Sequence, residues 1–172
     1  MTLPRLDEEL TRVEAWDESP DSLNCLMVQA TRGHRTLLAS LLAEIDLYPG
    51  QERALTLLWE LGPQPQNVLA RHIGIDMSTM TKTLQRLERS GFVSRAPSPA
   101  NRRVSIVSST PKGDALRPEV ERALAEVHRR MTKGLNSTQA GELAFLLSVV
   151  RDNLCGEGTC ETSPCATDDG LC

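Results

Sequence analysis

Aromatic residues and long apolar runs are the scarcest features of this sequence. Phe, Trp and Tyr make up 3% of its 172 residues, so the core must be built mainly from Leu, Val, Ile, Ala and Met. No segment approaches the roughly 18 consecutive apolar residues of a membrane-spanning helix. Residues 1–10 have neither the apolar stretch of a secretory signal nor the acid-poor composition of a transit peptide. We therefore expect a cytoplasmic protein without a membrane partner, made either of one domain or of one small domain and stem helices.

Motifs typical of enzymes are also missing. The sequence has no Gly-rich phosphate-binding loop, no nucleophile elbow and no His-Glu-x-x-His segment. Its three histidines, His34, His72 and His128, are too far apart in the sequence to match a metal-ligand pattern. We predict that the chain is not an enzyme.

The net charge of −4 hides an uneven distribution of charge along the chain. Residues 64–113 carry eight basic and two acidic side chains, a net charge of +6 inside an acidic protein. Such a block is the electrostatic footprint expected for contact with phosphates. An exposed helix face that merely collects Lys and Arg would look the same, so charge alone leaves both interpretations open.

Hydrophobic spacing and turn residues predict a mainly α protein with a small β-hairpin wing. The predicted helices cover residues 21–47, 51–61, 66–73, 77–90, 111–135 and 137–154, and the predicted strands cover residues 92–95 and 104–109. Thr110 is expected to cap a helix that begins at Pro111, and Pro118 is expected to kink or restart it. A helix, a turn, a second helix and a hairpin in this order predict a winged helix-turn-helix lobe, with the remaining helices forming a stem.

Residues 77–90 have two chemically different faces. At 100° per residue, an arc of about 80° holds the apolar side chains Met77, Met80, Leu84 and Leu87. The opposite side holds only hydrogen-bonding or cationic side chains: Ser78, Thr79, Thr81, Lys82, Gln85, Arg86 and Arg89. Such side chains can read base edges in the major groove of double-stranded DNA and bind its phosphates. We predict that this segment is a recognition helix.

The loop between the two predicted strands carries Arg102 and Arg103. Arginines at a hairpin tip can enter the minor groove beside a recognition helix or contact its phosphates. Both residues are therefore predicted to bind DNA.

Residues 48–113 contain a set of short motifs: Val68-Leu-Ala-Arg-His-Ile-Gly74, Asp76-Met-Ser-Thr-Met-Thr81, Leu87-Glu-Arg-Ser-Gly-Phe-Val93, Arg95, Asn101-Arg-Arg103 and Thr110-Pro-Lys-Gly113. As a set, they resemble the DNA-binding core of the MarR family of transcriptional regulators. With the flanking helices the resemblance covers residues 21–154. It implies a homodimeric regulator, which we predict to be a repressor, whose two lobes bind a pseudo-palindromic operator. The family wing usually has Asp where this chain has Asn101, so the charge that orients Arg103 is lost.

The resemblance divides the chain into four segments. These are N-terminal dimerisation helices (1–47), the DNA-binding lobe (48–113), C-terminal dimerisation helices (114–154) and a cysteine-rich tail (155–172). Two apolar stripes in the third segment need a surface to pack on. They are Leu116, Val120, Leu124, Val127, Met131 and Leu135, and then Leu143, Leu146, Leu147, Val150 and Leu154. A partner subunit and packing within one chain both remain open.

Four cysteines, Cys155, Cys160, Cys165 and Cys172, lie within the last eighteen residues. Their segment is polar and acidic and has too little apolar surface for a core of its own. Thiolates suit Zn²⁺, Cu(I) or an iron–sulfur cluster, yet the spacing matches no common zinc motif. A metal or cluster site, a thiol redox switch and a tail without a sensing role all remain open.

Cys25 stands apart from this group and is predicted to be a buried structural cysteine. Two other functions are kept as alternatives. One is a winged-helix module that binds proteins and carries a metal-handling tail. The other is a DNA-binding regulator controlled by a small organic ligand in a pocket of the stem.

Overall fold

The computed structural model describes residues 20–102 and 104–159. It divides into one unit that ends at Thr36 and a second that begins at Leu37. Helix α1, Pro20–Ala43, runs through this boundary. In the first unit Leu23, Leu26 and Val28 of α1 are more than half exposed. All the other elements below lie in the second unit.

Six further helices occur among the described residues. They are α2 Gln51–Leu61, α3 Gln66–Ile73, α4 Met77–Arg89, α5 Pro111–Asp114, α6 Arg117–Met131 and α7 Ser137–Thr159. The predicted bounds of α2 and α3 are confirmed. A glycine follows each helix and ends it: Gly62 and Gly74 have φ angles of 72° and 74°, which favour glycine. In the described part of the chain no helix is long and apolar enough to span a bilayer.

Among the described residues, three strands form one antiparallel sheet in the order β1-β3-β2. Strand β1 is Gln64–Pro65, β2 is Val93–Pro97 and β3 is Ser105–Ser109. Strands β2 and β3 form the predicted hairpin, paired from Val93 opposite Ser109 to Pro97 opposite Ser105. Strand β1 was not predicted from the sequence; it pairs Gln64 with Val107 and Pro65 with Ile106.

The core of the second unit lies under helices α2, α3 and α4 and extends to α6. Leu55, Leu69, Leu84, Val107 and Val120 are all fully buried in it. Apart from Phe92, the buried core consists of Leu, Ile, Val, Ala and Met side chains, as the aromatic-poor composition predicts. The inner face of α4 and the middle strand of the sheet, β3, both pack into this core.

The long helix predicted for residues 111–135 is divided in two. Thr110 caps α5, its hydroxyl accepting a hydrogen bond from the Gly113 N–H, and Pro111 occupies the first turn, as predicted. The chain restarts as α6 at Arg117, with Pro118 in its first turn. In the first turn of a helix the backbone N–H groups have no helical acceptor, so the missing N–H of proline costs no hydrogen bond there. The second helix ends at Met131 rather than Leu135, so the predicted C-terminal bound was wrong.

Helix α7 continues to Thr159, five residues beyond the end predicted at Leu154. Gly156 and Gly158 favour a break at this point, but the structure keeps the helical conformation through both. Cys155 therefore lies on a helix and not at the start of an irregular tail. The four-segment division of the chain stays a prediction.

Candidate nucleic-acid interface

Helix α4 is the predicted recognition helix, and Asp76 fixes its first turn. The Asp76 carboxylate accepts hydrogen bonds from the backbone N–H groups of Ser78, at 2.8 Å, and Thr79, at 2.9 Å. It also accepts from both hydroxyl groups, at 2.5 and 2.6 Å. These bonds hold the pKa of Asp76 well below its usual range. Ser78 and Thr79 are exposed, as predicted. Both of their hydroxyl groups, however, already donate to the Asp76 carboxylate.

The inner face of α4 packs into the core. Met80, Leu84 and Leu87 are fully buried, as the helical spacing predicts. Met77 was predicted to lie with them, but it is 47% exposed. A helical side chain leans towards the N-terminus of its helix, and Met77 is the first residue, so it extends beyond the buried surface.

Several predicted DNA-binding side chains on the outer face already have partners. The Thr81 hydroxyl donates to the Met77 carbonyl and accepts from Gln66 Nε2, both at 2.7 Å. The Arg86 guanidinium lies 5.8 Å from the centre of the Tyr48 ring. Arg89 Nε donates to the Gln85 carbonyl oxygen at 3.2 Å. These contacts leave part of each arginine available to phosphates, but they restrain the side chains along the helix.

Lys82 and Gln85 occupy the middle of the same face and are exposed. Within residues 20–102 and 104–159, neither side chain has a hydrogen bond or an ion pair. Exposed donors without a partner in the protein are free to bond base edges in the major groove. The structure thus distinguishes Lys82 and Gln85 from their already bonded neighbours.

An ion pair connects α4 to the wing. Arg95 on β2 donates to the Glu88 carboxylate through both Nε, at 3.0 Å, and a terminal nitrogen. The Arg95 hydrogen bonds lower the pKa of Glu88 from its ordinary value. Arg102 is exposed and lines the same cleft between helix and wing, whereas Arg103 lies outside the described residues. The wing therefore has a fixed base, and its tip carries at least one exposed arginine.

A groove lies beside the C-terminal end of α4. One part has a volume of about 400 Å³ and is lined by Asp46, Tyr48, Ser90, Phe92 and Lys112, among others. A second part shares Asp46, Tyr48 and Ser90 and adds Gln51, Arg86 and Arg89. Arg86, Arg89 and Lys112 line this groove together with the exposed Tyr48 ring and one acid, Asp46, a lining that suits a small organic anion.

The predicted cysteine site lies almost wholly outside the described residues. Cys160, Cys165 and Cys172 are not described, and for Cys155 only the backbone in α7 is described. Within the described part, no group of three or more His, Cys, Asp and Glu residues is arranged to hold a metal. Cys25 was predicted to be buried but is exposed; its Sγ accepts a hydrogen bond from Gln29 Nε2 at 2.9 Å.

Sequence reasoning missed the residues that hold α4 in place. Gln66 bonds Thr81 from fifteen residues away, and Glu88 pairs with Arg95 across a turn. Arg95 belongs to the basic block and to the residues that carry the family resemblance, and neither observation predicts its ion pair with Glu88. The one available signal was that Glu88 is an isolated acid among bases, which suggests an internal partner.

Comparisons with known proteins agree with this geometry. The MarR family model matches residues 47–105. The HTH-type transcriptional repressor IacR of Pseudomonas putida is 34% identical over 114 residues, which are 66% of this chain and 68% of the repressor. A mutant MarR from E. coli, solved in complex with operator DNA, is 25% identical, with a TM-score of 0.70 over 75% of this chain and 93% of that one.

A solved structure of a probable transcriptional regulator from Pseudomonas aeruginosa is 30% identical, with a TM-score of 0.69. The match covers 74% of this chain and 96% of that one. The fold and the order of its elements are those of a winged helix-turn-helix. The sequence similarity extends over most of the length of this regulator. This chain belongs to the MarR family.

Proposed function

We propose that the protein is a homodimeric transcriptional repressor that binds a pseudo-palindromic operator in double-stranded DNA. The observation that carries this proposal is the position of Lys82 and Gln85. They are exposed and unpartnered among the described residues, on a helix whose N-terminus is capped by Asp76 and whose back is buried in the core. A rigid helix with free donors in its middle can enter a major groove at low entropic cost.

The relatives support the same function. IacR bears the name of a transcriptional repressor, and a MarR structure holds operator DNA. A protein-docking role for α4 is less well supported, because docking helices present large apolar anchors. On the outer face of α4 the side chains are polar or cationic, and only Met77, at the first position, is apolar and exposed.

Homodimerisation is supported by α7. Phe145, Leu146 and Leu147 are consecutive and all at least 41% exposed, and Leu154 is 76% exposed. Consecutive residues of a helix point about 100° apart, so these three side chains spread over more than half of the circumference of α7. An exposed apolar face of this width is stabilised when another surface covers it. A second copy of the chain, also packed through its terminal helices, would cover it.

Footprinting tests this function on the DNA upstream of the protein's own gene. We expect two protected half-sites whose centres are about one helical turn, or a multiple of it, apart. A scrambled duplex of the same composition is the control. Protection of one half-site only, or equal affinity for the scrambled duplex, would contradict the proposal.

For the signal, we propose a metal, a cluster or thiol oxidation at Cys155, Cys160, Cys165 and Cys172. Support comes from four thiols in eighteen residues and from the extension of α7 to Thr159, which places Cys155 on a helix of the proposed dimer stem. A change at this end of α7 would alter the separation of the two recognition helices. Coupling of about 1–3 kcal/mol is typical of such switches.

The test compares the full chain with a protein that ends at Leu154. Each is titrated onto the operator with Zn²⁺, Cu(I), oxidant or reductant, with elemental analysis of anaerobically purified protein. We expect a response of about 5–150-fold in the full chain only. Identical binding by both proteins under every condition would exclude the tail as the sensor.

A small organic anion is the second candidate signal, favoured by the groove around Tyr48. Arg86, Arg89 and Lys112 supply positive charge beside an exposed ring. Binding there would touch the C-terminal end of α4 directly. A regulator whose operator affinity responds to aromatic carboxylates but not to metals or oxidants would favour this candidate.

A further inference from the structure

Three consecutive backbone carbonyls at the end of α4 accept hydrogen bonds from one short segment. The Ser90 oxygen accepts from Lys112 Nζ at 2.9 Å, and the Gly91 oxygen accepts from the Thr110 hydroxyl at 2.7 Å. The Phe92 oxygen accepts from the Thr110 N–H at 3.1 Å. Residues 110–113, here called the corner, thus satisfy backbone acceptors that the recognition helix and the following turn leave open.

The charge of Lys112 is directed at the helix end. Its ammonium group bonds the Ser90 carbonyl and lies 4.9 Å from the centre of the Phe92 ring. The C-terminus of a helix carries a partial negative charge, and a cation there is favourable. A cation over an aromatic face adds to this attraction. Lys112 therefore acts as a C-terminal cap that comes from another element.

Gly113 allows the corner to approach this closely. A Cβ added at Gly113 would lie 2.1 Å from the Phe92 carbonyl oxygen and 2.8 Å from Ser109 Oγ. Any side chain at this position would push the corner away from the turn that follows α4. The close packing and the three hydrogen bonds together fix the end of α4 to the start of α5, and α6 begins six residues after the start of α5.

From this geometry we infer that Lys112 is a positioning residue for DNA recognition and not a phosphate contact. The inference rests on the proposed DNA-binding function and adds a residue to it. Lys112 lies in the basic block of residues 64–113, where its charge suggested a contact with DNA. Its ammonium group instead holds the recognition helix at the angle set by α5 and α6.

The two roles predict different salt dependence. A lysine that neutralises a phosphate adds about one unit of the slope of log K against log salt, and its loss weakens all DNA equally. A lysine that only orients the helix adds nothing to that slope. Its loss lowers the affinity for the operator more than the affinity for random DNA.

The experiment uses two full-length variants. Lys112→Met keeps most of the aliphatic chain but loses the positive charge and the hydrogen-bond donor, whereas Lys112→Arg keeps the charge and a donor. Lys133→Met, at an exposed lysine after α6, is the control. Each binds the footprinted operator and a scrambled duplex at several salt concentrations. We expect Lys112→Met to lose about tenfold in the ratio of the two affinities with an unchanged salt slope, and Lys112→Arg to restore the ratio.

Equal losses on both duplexes with a slope shallower by about one would make Lys112 a phosphate contact and overturn the inference. An unchanged ratio would overturn it as well. If Lys112→Met does not fold, Thr110→Ser and Thr110→Val replace it: the serine keeps the hydroxyl that bonds Gly91, and only the valine should lose selectivity. Equal selectivity of this pair would contradict the inference. A wild-type protein that does not prefer the operator would instead refute the proposed function itself.

Discussion

At the scale of single residues, the outer face of α4 divides by what each side chain already bonds. Ser78 and Thr79 donate to Asp76, Thr81 bonds the backbone, and Arg89 bonds the Gln85 carbonyl. These bonds shape the helix and limit what the same groups can offer to DNA. The side chains of Lys82 and Gln85 have no such bonds in the described part of the chain, so they are the best candidates for base reading.

Substitution of these two residues tests that division. Lys82→Ala and Gln85→Ala should each weaken operator binding by about 1–3 kcal/mol, because a bond to a base edge is lost, and should relax selectivity at one base position. Affinities for a set of single-base operator variants measure both effects. Lys133→Ala is the matched control for charge. Equal losses on operator and random DNA would mean that neither side chain reads a base.

Asp76 gives a prediction for pH. The pKa of Asp76 is lower in the folded protein than the value of about 3.9 expected in the unfolded chain, so its ionised form stabilises the fold. That contribution is fully present above about pH 5 and is lost as pH falls through the folded-state pKa. The stability advantage of the wild type over Asp76→Asn should therefore stay constant between about pH 7 and pH 5 and shrink below about pH 4.

Urea unfolding at several pH values measures this advantage, with the exposed Asp114→Asn as the control. An advantage that grows as the pH falls would contradict the role of the ionised carboxylate as the helix cap.

Individual contacts were only partly predictable from the sequence. The periodic spacing placed Met80, Leu84 and Leu87 on one face because a helix fixes the angle between residues. It placed Met77 wrongly, because spacing does not tell how far the core extends beneath the first turn. The pairs Gln66–Thr81, Glu88–Arg95 and Lys112–Ser90 depend on how elements pack, which no local pattern encodes.

At the scale of elements, α4 depends on its buried face. Leu84 is fully buried beneath the helix, whereas Met77 is 47% exposed. Leu84→Ala should lower the free energy of unfolding by about 2–5 kcal/mol, because it leaves a cavity in the core. Met77→Ala should cost about 1 kcal/mol or less, since it removes few buried contacts. Urea unfolding monitored by circular dichroism gives both values, and similar costs would contradict the observed orientation of α4.

Element boundaries were predictable where a local residue determines them. Gly62 and Gly74 end α2 and α3 through positive φ angles, and Thr110 with Pro111 begins α5. Strand β1 was missed because two residues, one of them proline, carry no strand signal; only pairing with β3 makes Gln64–Pro65 a strand. The end of α7 was missed because the apolar spacing that predicts the helix stops at Leu154, whereas the helical backbone continues to Thr159.

At the scale of the whole molecule, the apolar stripe of residues 116–135 is mostly buried within the chain, whereas the stripe of residues 143–154 is mostly exposed. Val120 and Val127 of α6 are buried in the core of the same chain, and Leu116 and Leu124 pack against it. Packing within one chain therefore explains most of the first stripe. On α7, Leu143, Leu146, Leu147 and Leu154 are exposed, so the second stripe is the one that needs a partner.

A charge on α7 tests the proposed dimer. Leu146→Glu should convert the dimer to a monomer in sedimentation velocity, because a carboxylate in an apolar interface loses its hydration without a partner. Thr138→Glu adds the same charge to the exposed first turn of α7 and should remain dimeric. A dimeric Leu146→Glu protein would place the interface elsewhere.

The salt dependence of operator affinity tests the central claim that this protein binds DNA as a dimer through its basic lobes. Fluorescence anisotropy of the footprinted duplex would give log K between about 50 and 200 mM salt, together with the number of protomers bound. We predict two protomers per duplex and a loss of about 10³–10⁵ in affinity over this range, as expected for six to ten phosphate contacts. A salt-independent affinity, or one protomer per duplex, would contradict the account.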